Sequence, residues 1–319
     1  MNWANILSCD SNWLACTMPI DRGFILAAGK GSRMGPIGKD LPKVLWPLFE
    51  TTLLGMQIDL LHRLGVKDIW VNAHHHSQDL KSYLDHTYTE INFLHEPELL
   101  DAGGGVHNFI LKSKTHSPFV VINSDQYLEV DKQSLNELLA ADPQTPSTLC
   151  AMNVEGDYSS LICRDGYLAS ISKSSNGPMF TGLSRINPTT IQPSIVPSKF
   201  FETVCAYQKE RVKVVVARGV FLDFGSPSLY RESLTKLFDK LMTQDSLLDQ
   251  WVESGMVDKN KINKDLKSYN CDQPGVLNFS GKDLKYKWPK NSIIIQEPSE
   301  FCDPGSAAII YNEKFETLS

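Results

Sequence analysis

The strongest constraint on this chain is a short apolar run at residues 23–28, GFILAA, that stops abruptly in a string of glycines and cations. Such a run reads as a buried strand. A helical pattern follows over residues 52–64, where Leu53, Leu54, Ile58, Leu61 and Leu64 recur at helical spacing and Gly65 supplies a stop. The alternation then repeats. Residues 67–73 read as strand, 79–84 as helix, 91–94 as strand, 105–112 as helix, 119–122 as a buried strand and 135–141 as helix. Strands alternating with helices imply right-handed βαβ units and a mostly parallel sheet. From residue 148 the pattern turns to short strand-like pieces at 148–154, 160–163, 168–172 and 179–185, which reads as an antiparallel extension. Residues 212–216 and 220–223 add strand, and 228–242 a helix. Beyond about residue 256 the chain is polar, with β-like pieces at 275–279 and 292–296. Ile295, Phe301 and Ala307 lie six apart, but three positions do not make a hexapeptide repeat.

Composition excludes several classes. The chain has 319 residues, a formal net charge of −6 and 42% hydrophobic residues, which is globular and neither disordered nor fibrous. A chain this long buries roughly 75% of its unfolded surface, so no staples are required. The acidic balance argues against a general nucleic-acid binder. No stretch of about 18 apolar residues offers a spanning helix, and residues 1–19 lack the basic start and apolar core of a signal peptide. Seven cysteines are scattered without a CxxC pair, which suits reduced thiols in a cytoplasmic protein. The expected organisation is an extension at 1–20, a catalytic domain at 21–240 and a helical and β appendage at 241–319, for which a dimerisation element of a homodimer and a lid over the site are open readings.

The chemistry concentrates in residues 26–43, LAAGKGSRMGPIGKDLPK. A glycine-rich loop at the carboxyl end of a buried strand is where open α/β sheets bind phosphates, because glycines let backbone N–H groups approach anionic oxygens. Arg33 and Lys43 add fixed positive charge. The string is not a P-loop, which needs GxxxxGK[ST], nor a dinucleotide fingerprint, because Met34 stands at the sixth place of GxGxxG. Asp125 and Asp223 each follow an apolar strand. A carboxylate at a strand's carboxyl end is a natural Mg²⁺ ligand, since Mg²⁺ takes one or two carboxylates with phosphate and water oxygens. The run His74, His75, His76 cannot easily share one ion, because neighbouring side chains of an extended segment alternate faces.

Taken together, GxGxRM, a proline two residues on and Pro-Lys about ten residues after Arg33 resemble the signature of the sugar-1-phosphate nucleotidyltransferases. Later stretches are similar to that family's motifs in order: EPELLDAGGGV at 96–106, VINSD at 121–125, FTGLSRINP at 180–188 and FLDFGSP at 221–227. Within the family the likeness is greatest to the mannose-1-phosphate guanylyltransferase and N-acetylmuramate-1-phosphate uridylyltransferase group. Departures are Gly38 and Ala102 where threonine is usual, Ser124 where glycine is usual, and Phe224 and Ser226 in the last motif. The resemblance implies a GT-A-like, Rossmann-related fold and transfer of a nucleotidyl group from an NTP, GTP or UTP, to a sugar 1-phosphate with release of pyrophosphate. It implies that Leu26, Ala27, Ala28, Gly29, Gly31, Glu96, Gly103, Gly104 and Asn123 bind the nucleotide. Arg33 would stabilise the pyrophosphate and Lys43 the α-phosphate or the incoming phosphate. Lys173, Gly182 and Glu202 would meet the sugar phosphate, and Asp125 and Asp223 would hold Mg²⁺. Two other readings remain open: the same chemistry on a phosphate such as phosphocholine, and a catalytically silent homologue that binds a nucleotide sugar and regulates a partner.

Overall fold

The computed structural model describes residues 20–317, apart from 141, 143, 175, 176 and 302. The extension expected at residues 1–20 therefore lies, but for residue 20, outside the described residues. The chain forms two compact units that are not contiguous in sequence. One takes the chain up to Lys30 with Gln57–Phe221, and the other takes Gly31–Met56 with the chain from Leu222 onward.

The first unit is an α/β layer built on one nine-stranded sheet. Its strands are β1 (Arg22–Leu26), β4 (Asp68–Ala73), β5 (Asn92–His95), β6 (Phe119–Asn123), β8 (Ser147–Met152), β9 (Ser160–Arg164), β10 (Tyr167–Ser172), β11 (Met179–Ile186) and β12 (Val212–Val216). They lie in the order β5-β4-β1-β6-β11-β8-β12-β10-β9. The first four are parallel, as the alternation predicts. From β11 onward the sheet is mixed rather than simply antiparallel: β11 opposes both β6 and β8, while β12 runs parallel to β8. A separate ribbon pairs β7 (Gln126–Val130) with β13 (Gly219–Asp223). Gly219 starts β13 so close to the Glu129 carbonyl that a Cβ would stand 1.9 Å from its oxygen.

Helices cover the sheet. These are α1 (Leu53–Arg63), which begins in the second unit, α2 (Ser77–Thr87), α3 (Asp101–Ser113), α4 (Lys132–Leu139) and the single turn α5 (Phe200–Thr203). Phe24, Val106, Phe109, Phe119, Val121, Leu149 and Ile186 form one buried cluster, with Phe24 stacked on Phe109 at 4.6 Å. Burying such side chains stabilises by roughly 1.5–3 kcal/mol each. Asp131 caps α4, and its carboxylate accepts the Ser134 and Arg218 N–H groups, which hold its pKa down to about 2.

Helix α3 begins four residues before the helical reading of 105–112 and runs through Gly103, Gly104 and Gly105. Glycine weakens a helix interior by about 0.5–1 kcal/mol relative to alanine, so local pattern could not predict that start. Tertiary packing supplies the reason. A Cβ at Gly104 would stand 2.3 Å from the Val196 carbonyl oxygen, and one at Gly103 would stand 2.6 Å from that of Ser198. The first turn of α3 thus lies flat against the 196–198 loop.

The second unit holds the hairpin β2 (Pro47–Leu48) and β3 (Thr51–Thr52), then α6 (Pro227–Thr243) and α7 (Asp245–Glu253). Ser226 caps α6 with a proline in its first turn, close to the helix expected at 228–242. The tail is a coil of strands: β14 (Ile262–Asn263), β15 (Ser268–Tyr269), β16 (Leu277–Asn278), β17 (Ile293–Gln296), β18 (Ala308–Tyr311) and β19 (Lys314–Thr317). Strands β15 to β18 stack in parallel without crossover helices. Leu277 pairs with Ile293 and Ile293 with Ile309, so successive rungs fall sixteen residues apart. The six-residue spacing of Ile295, Phe301 and Ala307 is not the repeat. Phe301 is largely exposed, while Val276, Ile294, Ala308 and Ile310 form the coil's core with Trp288.

Candidate active site

In the first unit the site is built at the carboxyl end of β1. The strand delivers Leu26 beside Asn123 of β6 and then leaves the sheet. Asn72, near the end of β4, accepts the Ala27 N–H at 2.7 Å and the Ala28 N–H at 3.3 Å. Its amide nitrogen donates to Glu96 Oε1 at 2.7 Å, while Glu96 Oε2 accepts the Leu100 N–H at 3.4 Å. Glu96 is fully buried, and burial pushes its carboxyl above the usual carboxylate range. Its side chain therefore holds Asn72 in place, and Asn72 fixes the strand end. Gly105 permits this closeness: a Cβ there would come 2.9 Å from Asn72 Nδ2 and 3.1 Å from Glu96 Oε1. The Gly103 N–H is bonded to the Ser198 carbonyl at 2.8 Å. Gly29 is exposed with open space where a Cβ would be.

The turn after β6 carries Asn123, Ser124 and Asp125, with Asp125 half-buried. Gln57 of α1 is buried, and its amide donates to the carbonyl of Gln126, which pins the backbone just after Asp125. Gly182 of β11 has φ +80°, and a Cβ there would meet Asn123 Nδ2 and Gln126 Oε1, each at 2.6 Å. Lys173 is exposed just beyond β10. Glu202 is exposed on α5 and pairs with Lys199 at 3.4 Å.

In the second unit the glycine-rich string is a chain of tight turns. Gly31 is left-handed at φ 59°, and its carbonyl accepts the Met34 N–H at 2.9 Å. Met34 and Ile37 are fully buried while Arg33 is exposed, so the turn packs its apolar residues inward and presents the cation outward. Lys43 lies beside Gly31: a Cβ on the glycine would be 3.7 Å from that of Lys43. Asp223 ends β13, and its Oδ1 accepts the Gly225 N–H at 2.6 Å. A Cβ at Gly225 would stand 2.7 Å from Asp223 Oδ1 and 3.1 Å from Arg33 Nη2. This glycine lets the guanidinium and the Asp223 turn lie side by side, and Ser233 of α6 secures the turn by donating to the Asp223 carbonyl at 2.6 Å.

Two residues that sequence reasoning did not place in the site matter here. One is Asn72, whose signal is a polar residue at the end of an apolar strand. Gly225 gave only its place directly after Asp223 and Phe224. The histidine run is not the extended segment expected: it forms the turn between β4 and α2, with His76 left-handed at φ 53° and the His75 and His76 rings meeting edge-on at 4.7 Å. His74 Nδ1 lies 2.9 Å from the Glu96 carbonyl oxygen, and His76 Nδ1 lies 3.0 Å from Asp79. Among the described residues no three His, Cys, Asp or Glu side chains come together as a metal cluster.

Residues 23–255 match the MobA-like NTP transferase domain. The chain belongs to that family. The chain is 30% identical over 115 residues to a bifunctional sugar-1-phosphate nucleotidylyltransferase/acetyltransferase of Sulfurisphaera tokodaii, a match that covers 36% of this chain and spans only 27% of that enzyme. It is 28% identical to a mannose-1-phosphate guanyltransferase of Hypocrea jecorina, over 70% of this chain and 67% of the relative. A D-glycero-α-D-manno-heptose 1-phosphate guanylyltransferase of Aneurinibacillus thermoaerophilus is 23% identical over 67% of this chain and 97% of the relative. Among solved structures, HddC from Yersinia pseudotuberculosis in complex with GMP-PN aligns with a TM-score of 0.58 at 24% identity, covering 68% of this chain and 99% of that one. These likenesses bear out an α/β fold of the nucleotidyltransferase kind. Among the described residues no helix is long and apolar enough to cross a membrane.

Proposed function

We propose that the protein transfers a nucleotidyl group from an NTP, GTP or UTP, to a sugar 1-phosphate, on a GT-A-like fold, and releases pyrophosphate. The observation that carries this reading is the close approach of Arg33 to the Asp223–Gly225 turn. It joins two of the family's motifs, far apart in sequence, at one point. The relatives' names point the same way, because their substrates are sugar 1-phosphates.

The reaction needs no strong general base, since the attacking phosphate oxygen is already anionic. It needs charge neutralisation and in-line placement. Arg33 and the glycine turn at Gly29 and Gly31 would take the triphosphate and the leaving pyrophosphate. Lys43 would take the phosphate under attack. In the first unit, Leu26, Ala27, Ala28 and Asn123 would line the nucleotide, with Glu96, Gly103 and Gly104 shaping that wall from behind. Gly182, Lys173 and Glu202 are the proposed contacts to the sugar phosphate.

Asp125 and Asp223 are proposed as Mg²⁺ ligands, and the donor chemistry fits. Both are carboxylates at strand ends, and Asp223 has one oxygen bonded to the Gly225 N–H. Mg²⁺ draws its remaining oxygens from phosphate and water, so a cage of three protein ligands is not required. When bound, Mg²⁺ would neutralise charge on the phosphates. Residues Arg33 and Lys43 would supply the rest from the protein itself.

The test is pyrophosphate release with Mg²⁺ across a grid of GTP, UTP, dTTP, CTP and ATP against hexose 1-phosphates. One strong combination is expected. Arg33→Ala and Lys43→Ala should each lower kcat about a hundredfold, the scale of about 3 kcal/mol of lost charge stabilisation. An empty grid with tight nucleotide binding would overturn the reading in favour of a silent homologue.

A further inference from the structure

Sequence reading left the tail as an appendage, and the family match ends at residue 255. Within the second unit, however, the last strand of the coil lies on the glycine-rich string. Lys314 of β19 forms an ion pair with Asp40, and its Nζ lies 3.5 Å from the Pro36 carbonyl oxygen. Two residues on, Glu316 sits against Gly35. That glycine has φ 62° and ψ −156°, a conformation that side-chain-bearing residues rarely adopt. A Cβ on Gly35 would stand 1.6 Å from Glu316 Oε1, so the carboxylate occupies the space the glycine leaves. The same Glu316 oxygen is buried and has no hydrogen-bond partner among the described residues.

We propose that the terminal strand of the coil is a brace for the phosphate-binding turn, in which Lys314 and Glu316 act as positioning residues that hold Gly35–Asp40 and thereby set the place of Arg33. The proposal rests on the transferase reading for its kinetic consequence, though not for its structural one. Arg33 is exposed and separated from Gly35 only by the buried Met34, so the turn that carries the cation is clamped from inside by Met34 and Ile37 and from outside by β19. An exposed ion pair alone contributes little. The contact at Gly35 is different in kind, because it fills a backbone position that has no side chain of its own.

Single and double variants of the full chain test the brace: Lys314→Ala with Glu316→Ala, and the exchange Lys314→Asp with Asp40→Lys. Two readouts are needed, steady-state kinetics and hydrogen exchange of the amides at residues 34–41 without substrate. The Lys314→Ala, Glu316→Ala double variant should raise KM for the NTP about tenfold, equal to about 1.4 kcal/mol. KM for the sugar phosphate should stay within about twofold, and exchange of the 34–41 amides should quicken while that of the nine-stranded sheet does not. The charge exchange should restore most of the nucleotide KM relative to Lys314→Asp alone. Wild-type exchange and wild-type nucleotide KM in the double variant would overturn the brace, as would an equal rise in both KM values with general loss of protection. If the wild type shows no turnover with any substrate pair, the transferase reading fails, and quickened exchange at 34–41 still upholds the brace.

Discussion

At the scale of the single residue, the site depends on groups that hold other groups. Glu96 is the clearest case. Its motif position suggests a wall of the nucleotide pocket, and the structure has it fully buried with both oxygens bonded, one to Asn72 and one to the Leu100 N–H. Desolvation outweighs those bonds and raises its pKa above the ordinary 4.5. The sign of the pH effect follows. A carboxyl with a raised folded pKa binds a proton more readily when folded, so its contribution to stability is greatest at low pH and declines as pH rises through the folded pKa. Thermal melts of the wild type and Glu96→Gln should therefore move apart with pH. The Tm difference shifts in favour of the glutamine variant as pH climbs from 4.5 towards 7, and a difference that stayed constant would contradict the assignment. The free thiols follow the same physics: burial pushes Cys205 up to about 12 and Cys150 up to about 11, so neither is a thiolate near neutrality. The sequence marked Glu96 through its motif. It could not mark the side chain's inward direction, which depends on a strand 24 residues earlier.

At the scale of the element, α3 shows local propensity losing to packing. Three consecutive glycines argue against a helix start, yet all three are buried in its first turns. The cost is offset because the helix can then approach the 196–198 loop and receive the Ser198 carbonyl on the Gly103 N–H. Two effects compete in Gly104→Ala. Helix propensity would gain about 0.5–1 kcal/mol. Overpacking against the rigid Val196 carbonyl, 2.3 Å from the new Cβ, would cost about 3 kcal/mol. The clash wins, and urea unfolding should find the variant about 2 kcal/mol less stable. A variant as stable as the wild type would mean that the helix does not rest on that loop. The parallel strands β1, β4, β5 and β6 were legible as apolar runs. β7 and α7 were not, because β7 directly follows the NSD turn and α7 is a short helix in a polar stretch. Two of the coil's rungs, β16 and β17, fall in the β-like pieces read at 275–279 and 292–296, but the repeat escaped for a related reason: the buried segments at 276–278, 292–294 and 308–310 are too short to show a period.

At the scale of the whole molecule, the second unit draws together segments from both sides of the sheet-forming chain. Phe49 is 5% exposed and touches four rings, those of Phe238, Trp251, Tyr269 and Phe279, with centroids 5.2–6.1 Å apart. Around it, Glu50 accepts hydrogen bonds from Tyr269 and Lys261, and Trp46 packs edge-on against Tyr230 at 4.9 Å. The hairpin after the glycine-rich string is thus cored by helix and coil residues roughly two hundred positions later. Phe49→Ala should lower stability by about 3–5 kcal/mol. Hydrogen exchange should rise first at residues 31–56 and 222–317, while amides of β1, β4 and β6 keep their protection. Uniform loss of protection would show that the second unit does not open as a unit of its own.

The sequence by itself determined the parallel half of the sheet and named the candidate positions for the proposed chemistry. Apolar periodicity is a local property, and the glycine, arginine, lysine and aspartate positions lie in short motifs that can be read one at a time. Tertiary structure decided what those residues touch. Asn72 holding Ala27 and Ala28, Gly225 admitting Arg33 beside Asp223, and Glu316 filling the open side of Gly35 are contacts across tens to hundreds of residues. Such contacts depend on where a missing Cβ leaves room, and room is a property of two segments at once. A string of letters carries the two segments but not the distance between them.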